Sequence, residues 1–104
     1  MARVGFTMKL FPESEEEYEK RHDELWPELE SLLKDSGIRE YSIFLDRRTG
    51  TLFACLQTDE PEKLANLPDS PVMKKWWAYM KDLMETNSDG SPVTFALKEV
   101  FYLP

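Results

Sequence analysis

The chain has 104 residues, enough for one domain (1–104) with one real core and too few for a second domain or a repeat array. Hydrophobic residues make up 41%, aromatic residues 12% and charged residues 32%, a globular composition rather than a disordered or fibrous one. Thirteen Lys and Arg stand against twenty Asp and Glu, and the net charge of −7 argues against duplex nucleic acid and anionic membrane surfaces as partners.

Val4, Phe6, Met8 and Leu10 alternate with Gly5, Thr7 and Lys9, which predicts a first strand ended by Pro12. Ser14 and Glu17 have the spacing of a capping box and predict the start of a long helix. Glu15, Glu16 and Glu17 would sit in its first turn, where the helix dipole favours acids. Tyr18, Leu25, Trp26, Leu29, Leu32 and Leu33 form one apolar stripe, Pro27 should bend the axis, and Gly37 should stop it. Tyr41, Ile43 and Leu45 share one side of a second strand, and Asp46 to Gly50 read as a hairpin loop. Leu52 to Leu56 is almost continuously apolar and suits a central strand covered on both faces.

Glu60 to Leu67 allow one short helix. Ser70-Pro71 opens another, on which Val72, Met73, Trp76, Trp77, Met80, Leu83 and Met84 recur at helical spacing. A loop at Asn87 to Pro92 precedes a final strand, Val93 to Leu103, apolar on both faces. The order strand, helix, strand, strand, helix, strand is the α+β, ferredoxin-like βαββαβ arrangement, a four-stranded antiparallel sheet with two helices on one face. The other face would be too apolar for a monomer, so a homodimer stacking sheet on sheet, of the dimeric α/β-barrel type, is expected.

One cysteine, Cys55, excludes an internal disulfide. Mid-strand, it reads as a small buried hydrophobe. With one histidine beside it there is no metal-binding cluster, so no metal is expected. No secretory signal and no run of apolar residues long enough to span a bilayer is visible, so the expectation is a cytoplasmic protein.

Five positions invite chemistry. His22 lies four residues after Tyr18, on the stripe that faces the sheet. A half-buried histidine with no role fits that position. Yet two polar-tipped side chains where leucine would pack better suggest a pocket with a polar ligand, since unpaired burial costs about 1–3 kcal/mol. Histidine also titrates near neutrality. Trp76-Trp77 are either two core-edge residues or an aromatic wall suited to the flat C–H face of a pyranose. The hydroxyl of Tyr41 is either a strand-edge tip in water or part of the same pocket. There is no Gly-rich phosphate loop and no GxSxG elbow.

The run Tyr18-Glu19-Lys20-Arg21-His22-Asp23-Glu24-Leu25-Trp26-Pro27-Glu28-Leu29 resembles the first helix of the L-rhamnose mutarotases. Trp76-Trp77-Ala78-Tyr79-Met80, the terminal Glu99-Val100-Phe101-Tyr102-Leu103-Pro104, and Tyr41 with Leu45-Asp46 resemble further segments, in the same order and over the whole chain. The resemblance implies a small homodimeric α+β isomerase that interconverts the α and β anomers of L-rhamnose without metal or cofactor. It implies His22 as proton donor, and Tyr18, Tyr41, Trp76 and Trp77 as substrate-binding residues. Mutarotation needs an acid at the ring oxygen and a base at the anomeric hydroxyl. His22 suits the acid, while the base is open among His22 itself, a tyrosinate-like partner and water. A cofactor-free monooxygenase or haem-degrading enzyme could use the same dimeric scaffold, and a non-catalytic binding module could use the acidic face and tryptophans.

Overall fold

A computed structural model describes residues 2–104. Strand β1 (Ala2–Lys9) is followed by helices α1 (Glu15–Asp23) and α2 (Pro27–Asp35). Then come the hairpin strands β2 (Ile38–Asp46) and β3 (Thr51–Thr58), a single-turn helix α3 (Pro61–Leu64), helix α4 (Pro71–Met80) and the short β4 (Phe95–Leu97). The sheet order β2-β3-β1-β4, with every neighbour antiparallel, is the ferredoxin-like order anticipated from the chain.

Register divides the sheet into two faces. Leu45, Leu52 and Met8 make one cross-strand row, and Ile43, Ala54, Phe6 and Ala96 the next. Both rows face the helices. There Leu52, Ala54 and Met8 are buried beneath Leu29 of α2 and Met73, Trp76 and Met80 of α4. The opposite face carries the row Phe44, Phe53, Thr7, Phe95 from edge to edge, with Phe44 69% and Phe95 67% exposed.

Several expectations are corrected. The first helix is broken rather than bent. A residue before proline is pushed out of the helical region, and Trp26 takes φ −60°, ψ 132°, so Asp23 ends one helix and Pro27 opens another. The capping box does not form: Ser14 occupies the N-cap without a side-chain cap bond, and the Glu17 carboxylate instead accepts from Arg21 Nε at 2.8 Å.

Gly37, in the left-handed region at φ 83°, does stop α2. Gly50, at φ 75°, closes the hairpin where a Cβ would meet the Leu10 carbonyl at 2.9 Å. Strand β3 is central but covered on one face within the chain, and Cys55 is exposed rather than buried.

The stretch after β3 forms α3 and a 3-10 turn at Leu67–Asp69 instead of one helix. Helix α4 ends at Met80, with Leu83 buried in the turn that follows and Met84 buried where it bridges to Leu10. The final strand pairs only over Phe95–Leu97. From Lys98 onward the chain lies outside the sheet, with Val100, Phe101 and Leu103 at least 77% exposed. Arg3 holds this tail through a bidentate pair with Glu99 and by stacking over the Tyr102 ring.

Candidate active site

Between α1, α2 and α4 on one side and the sheet on the other lies a cavity of about 1030 Å³, at the upper end of the range for ligand pockets. Tyr18, His22, Tyr41, Trp76 and Trp77 all line it, so the structure gathers every residue singled out from the chain around one space.

Helix α1 delivers two of them. Its first turn is acidic and its last basic, as the dipole favours, and the spacing of four stacks Tyr18 and His22 with ring centroids 4.3 Å apart. His22 Nδ1 lies 2.9 Å from the Tyr18 carbonyl oxygen. A carbonyl only accepts, so Nδ1 carries the hydrogen and donates it, and in the neutral ring Nε2 keeps its lone pair. The ring is half-buried, and desolvation holds its pKa below the ordinary histidine value, against the opposing pull of the Tyr18 carbonyl and of Asp23. Among the described residues Nε2 makes no hydrogen bond, yet it is not sealed from solvent. His22 is one of the residues that line the cavity.

Tyr41 arrives by a different device. The β2–β3 register slips by one residue between Arg39 and Ser42, with Glu40 in the left-handed region at φ 51°. This bulge re-phases the strand. Ile38 points into the core ahead of it, and after it Tyr41 shares the covered side with Ile43 and Leu45. Without the extra residue, Tyr41 would face the open side. Its ring keeps an exposed edge, but burial pushes the phenol up to about 12. Desolvation, and to a lesser extent Tyr41, also raise the Tyr18 phenol. Both groups are therefore neutral hydrogen-bond donors at physiological pH.

Trp76 and Trp77 diverge by about 100° on α4, as adjacent helical positions must. Trp76 is buried, edge-on to His22 at 5.4 Å, while Trp77 is half-buried at the cavity wall.

Two aromatic partners escape a reading of the chain alone. Trp26 packs edge-on against Trp76 at 5.1 Å, and Tyr79 lies 5.5 Å from Trp26. The sequence signal for Trp26 is Pro27 behind it, which turns it out of the helix. Tyr79 is signalled by its spacing of three from Trp76. At the outer edge of the cavity Glu15 and Arg47 form an exposed pair at 2.8 Å. Among the described residues no three His, Cys, Asp or Glu side chains gather as a metal site would require.

A family model described as L-rhamnose mutarotase matches residues 3–103. The chain belongs to the L-rhamnose mutarotase family. A relative of that name from Brucella anthropi is 54% identical over 102 residues, covering 98% of this chain and 96% of its own. Another from Oceanobacillus iheyensis is 46% identical over 103 residues, covering 99% of each chain. The crystal structure of an L-rhamnose mutarotase from Formosa agariphila superposes with a TM-score of 0.93 at 46% identity over the full length of both chains.

An antibiotic biosynthesis monooxygenase shares the fold at a TM-score of 0.62 and 12% identity, covering 96% of this chain and 99% of its own. That likeness speaks to the fold alone. Among the described residues no helix is long and apolar enough to cross a membrane.

Proposed function

We propose that the chain, one domain over residues 1–104, is an isomerase that interconverts the α and β anomers of L-rhamnose by opening and closing the pyranose ring. Family membership supports the reaction. The observation that carries the mechanism is that His22, its Nδ1 committed to the Tyr18 carbonyl and its Nε2 left without a hydrogen bond among the described residues, lines a cavity with aromatic walls.

In this reading Nε2 first accepts the proton of the anomeric hydroxyl. The bond from the anomeric carbon to the ring oxygen breaks, a carbonyl forms at the anomeric carbon, and the imidazolium returns its proton to the ring oxygen. Both oxygens are bonded to the same carbon, so one nitrogen serves them in turn. His22 is thus the donor at the ring oxygen after it has been the acceptor at the anomeric one, and no separate base is required. Rotation about the adjacent carbon–carbon bond and reversal of these steps give the other anomer. Each assisted proton transfer contributes about 10²–10⁴-fold.

Tyr18 and Tyr41, kept protonated by their surroundings, donate hydrogen bonds to sugar hydroxyls. Trp77 offers its indole face to the apolar side of the ring, and Trp76 backs the imidazole and closes that wall. The scheme uses no metal and no cofactor.

The active form in this reading is a homodimer. Support comes from the row Phe44, Phe53, Thr7, Phe95 and the neighbouring row Ser42, Cys55, Gly5, Leu97, which leave one sheet face apolar and uncovered. Stacking that face on its copy about a two-fold axis removes it from water. A fold that needs no disulfide suits the cytoplasm, where we place it.

Proton NMR saturation transfer on L-rhamnose tests the reaction, because the two anomeric signals are resolved. The protein should speed exchange between them. His22→Ala should lose that acceleration, by about 10²-fold or more, with its far-UV spectrum native. Exchange at the native rate in this variant would strip His22 of its role in proton transfer.

A further inference from the structure

Arg21 precedes His22 on α1 but does not line the cavity, nor do Tyr79 and Asp82. Its side chain is only 11% exposed, a deep seat for a guanidinium. Every arm of the fork is used. Nε donates to Glu17 at 2.8 Å, one turn back on the same helix. Nη1 donates to the Tyr79 carbonyl at 2.6 Å and to Asp82 Oδ1 at 3.0 Å, and Nη2 donates to Asp82 Oδ2 at 3.2 Å. The guanidinium also lies 4.2 Å from the centre of the Tyr79 ring. The Tyr79 carbonyl belongs to the last turn of α4, where carbonyls lack helical partners and a cation is favoured.

These contacts close a loop through the site. Arg21 grips Tyr79; Tyr79 lies 5.8 Å from Trp76; Trp76 meets His22 edge-on at 5.4 Å; and His22 adjoins Arg21 along α1. A planar fork held by a bidentate carboxylate fixes an angle as well as a distance, which a lysine ammonium does not. Among the described residues, the polar ties from Arg21 outside its own helix run to the end of α4 and the turn beyond it.

We infer that Arg21, clamped by Asp82 and the Tyr79 carbonyl, is a positioning residue: it sets the end of α4 against α1, and thereby the Trp76 indole against the His22 imidazole. Its effect on turnover rests on the mutarotase reading above; its effect on the imidazole does not.

The test uses the full chain with Arg21→Lys, which keeps the charge and loses the fork, and Asp82→Asn, which keeps the shape and weakens the clamp. Lys34→Gln, which removes an exposed pair with Glu30 on α2, is the control. Three readouts are compared per folded molecule: anomer exchange, near-ultraviolet circular dichroism of the aromatic cluster, and the ¹⁵N and ¹H shifts of the imidazole. The chain has one histidine, so that signal is unambiguous.

Arg21→Lys and Asp82→Asn should each lower kcat about tenfold with KM within about twofold, because the reacting geometry shifts more than the walls do. Both should move the imidazole shifts and weaken the near-ultraviolet signal. Asp82→Glu should recover most of the kcat lost in Asp82→Asn, and the control should change nothing. If the folded variants keep native kcat and native imidazole shifts while only their denaturation midpoints fall, Arg21 is a stabilising residue and the inference is overturned. Should Arg21→Lys fail to fold, Asp82→Asn decides by the same criteria. A wild-type protein that does not speed anomer exchange refutes the mutarotase reading, and the imidazole shifts then decide the clamp alone.

Discussion

The two faces of the sheet are built from alternate residues of the same strands, yet they differ in almost every physical respect. On β3, Leu52 is 1% exposed and Phe53 beside it 41%. The helix-side face combines a packed apolar core with a cavity whose lining includes Tyr18 and His22. The other face is an apolar plane with no covering element among the described residues and with Cys55 exposed upon it. Strand alternation assigns side chains to faces, but what each face does depends on what packs against it. The proposed chemistry lies where helices cover the sheet incompletely, and the proposed association where no element of the described residues covers it.

The largest effect that would break this contrast is a change on the covered face. Leu52→Ala should cost about 2–5 kcal/mol, and the loss should be the same at every protein concentration in urea denaturation. Phe53→Ser, one residue along, should leave the protomer folded but weaken the dimer, making the midpoint depend on concentration and shifting sedimentation toward monomer. Equal, concentration-independent losses from both would mean that the two faces do not differ in this way.

Within the cavity the two tryptophans sharpen the comparison further. Trp76→Ala removes a buried side chain and should cost about 3–5 kcal/mol of stability along with activity. Trp77→Ala, at the wall, should leave stability close to native and raise KM several-fold with kcat nearly unchanged. A Trp77 variant that lost kcat instead would place that indole against the reacting atoms.

The smallest expected effect is a pH dependence. Desolvation lowers the His22 pKa in the folded chain, so between the ordinary histidine value near 6.5 and the lower folded value the unfolded chain binds more protons. The contribution of this group is therefore fully present above the unfolded value and is lost as pH falls through that window. Denaturation midpoints of His22→Gln should show less of this acid-side decline than the native protein. The native activity should fall on the acid side with an apparent pKa below 6.5, since a protonated Nε2 accepts nothing. An acid limb centred above the ordinary histidine value would contradict a desolvated imidazole.

Much of this molecule was legible in the order of its residues. Period-two and helical spacing located the strands and helices, because burial on one side imposes those periods. A lone histidine one turn from a tyrosine in an apolar stripe marked the cavity, because polar tips are costly in a core unless a ligand or water meets them. The run Leu52 to Leu56 identified the central strand but suggested cover on both faces. Within one chain only one is covered, since the missing layer is not encoded locally.

Other features were decided by tertiary structure alone. The break at Trp26 needed the helix to choose between bending and ending, and packing of that indole on Trp76 and Tyr79 accompanies the ending. The bulge at Glu40 depends on strand β3 lying alongside, because a register slip exists only relative to a partner. Arg21 is one more charge on a charged helix until α4 arrives with a carbonyl and a carboxylate to hold it. The chain by itself thus determined which side chains could share a face. How those faces meet, and at what angle an imidazole stands to an indole, follows from contacts between segments far apart in sequence, for which local periodicity carries no information.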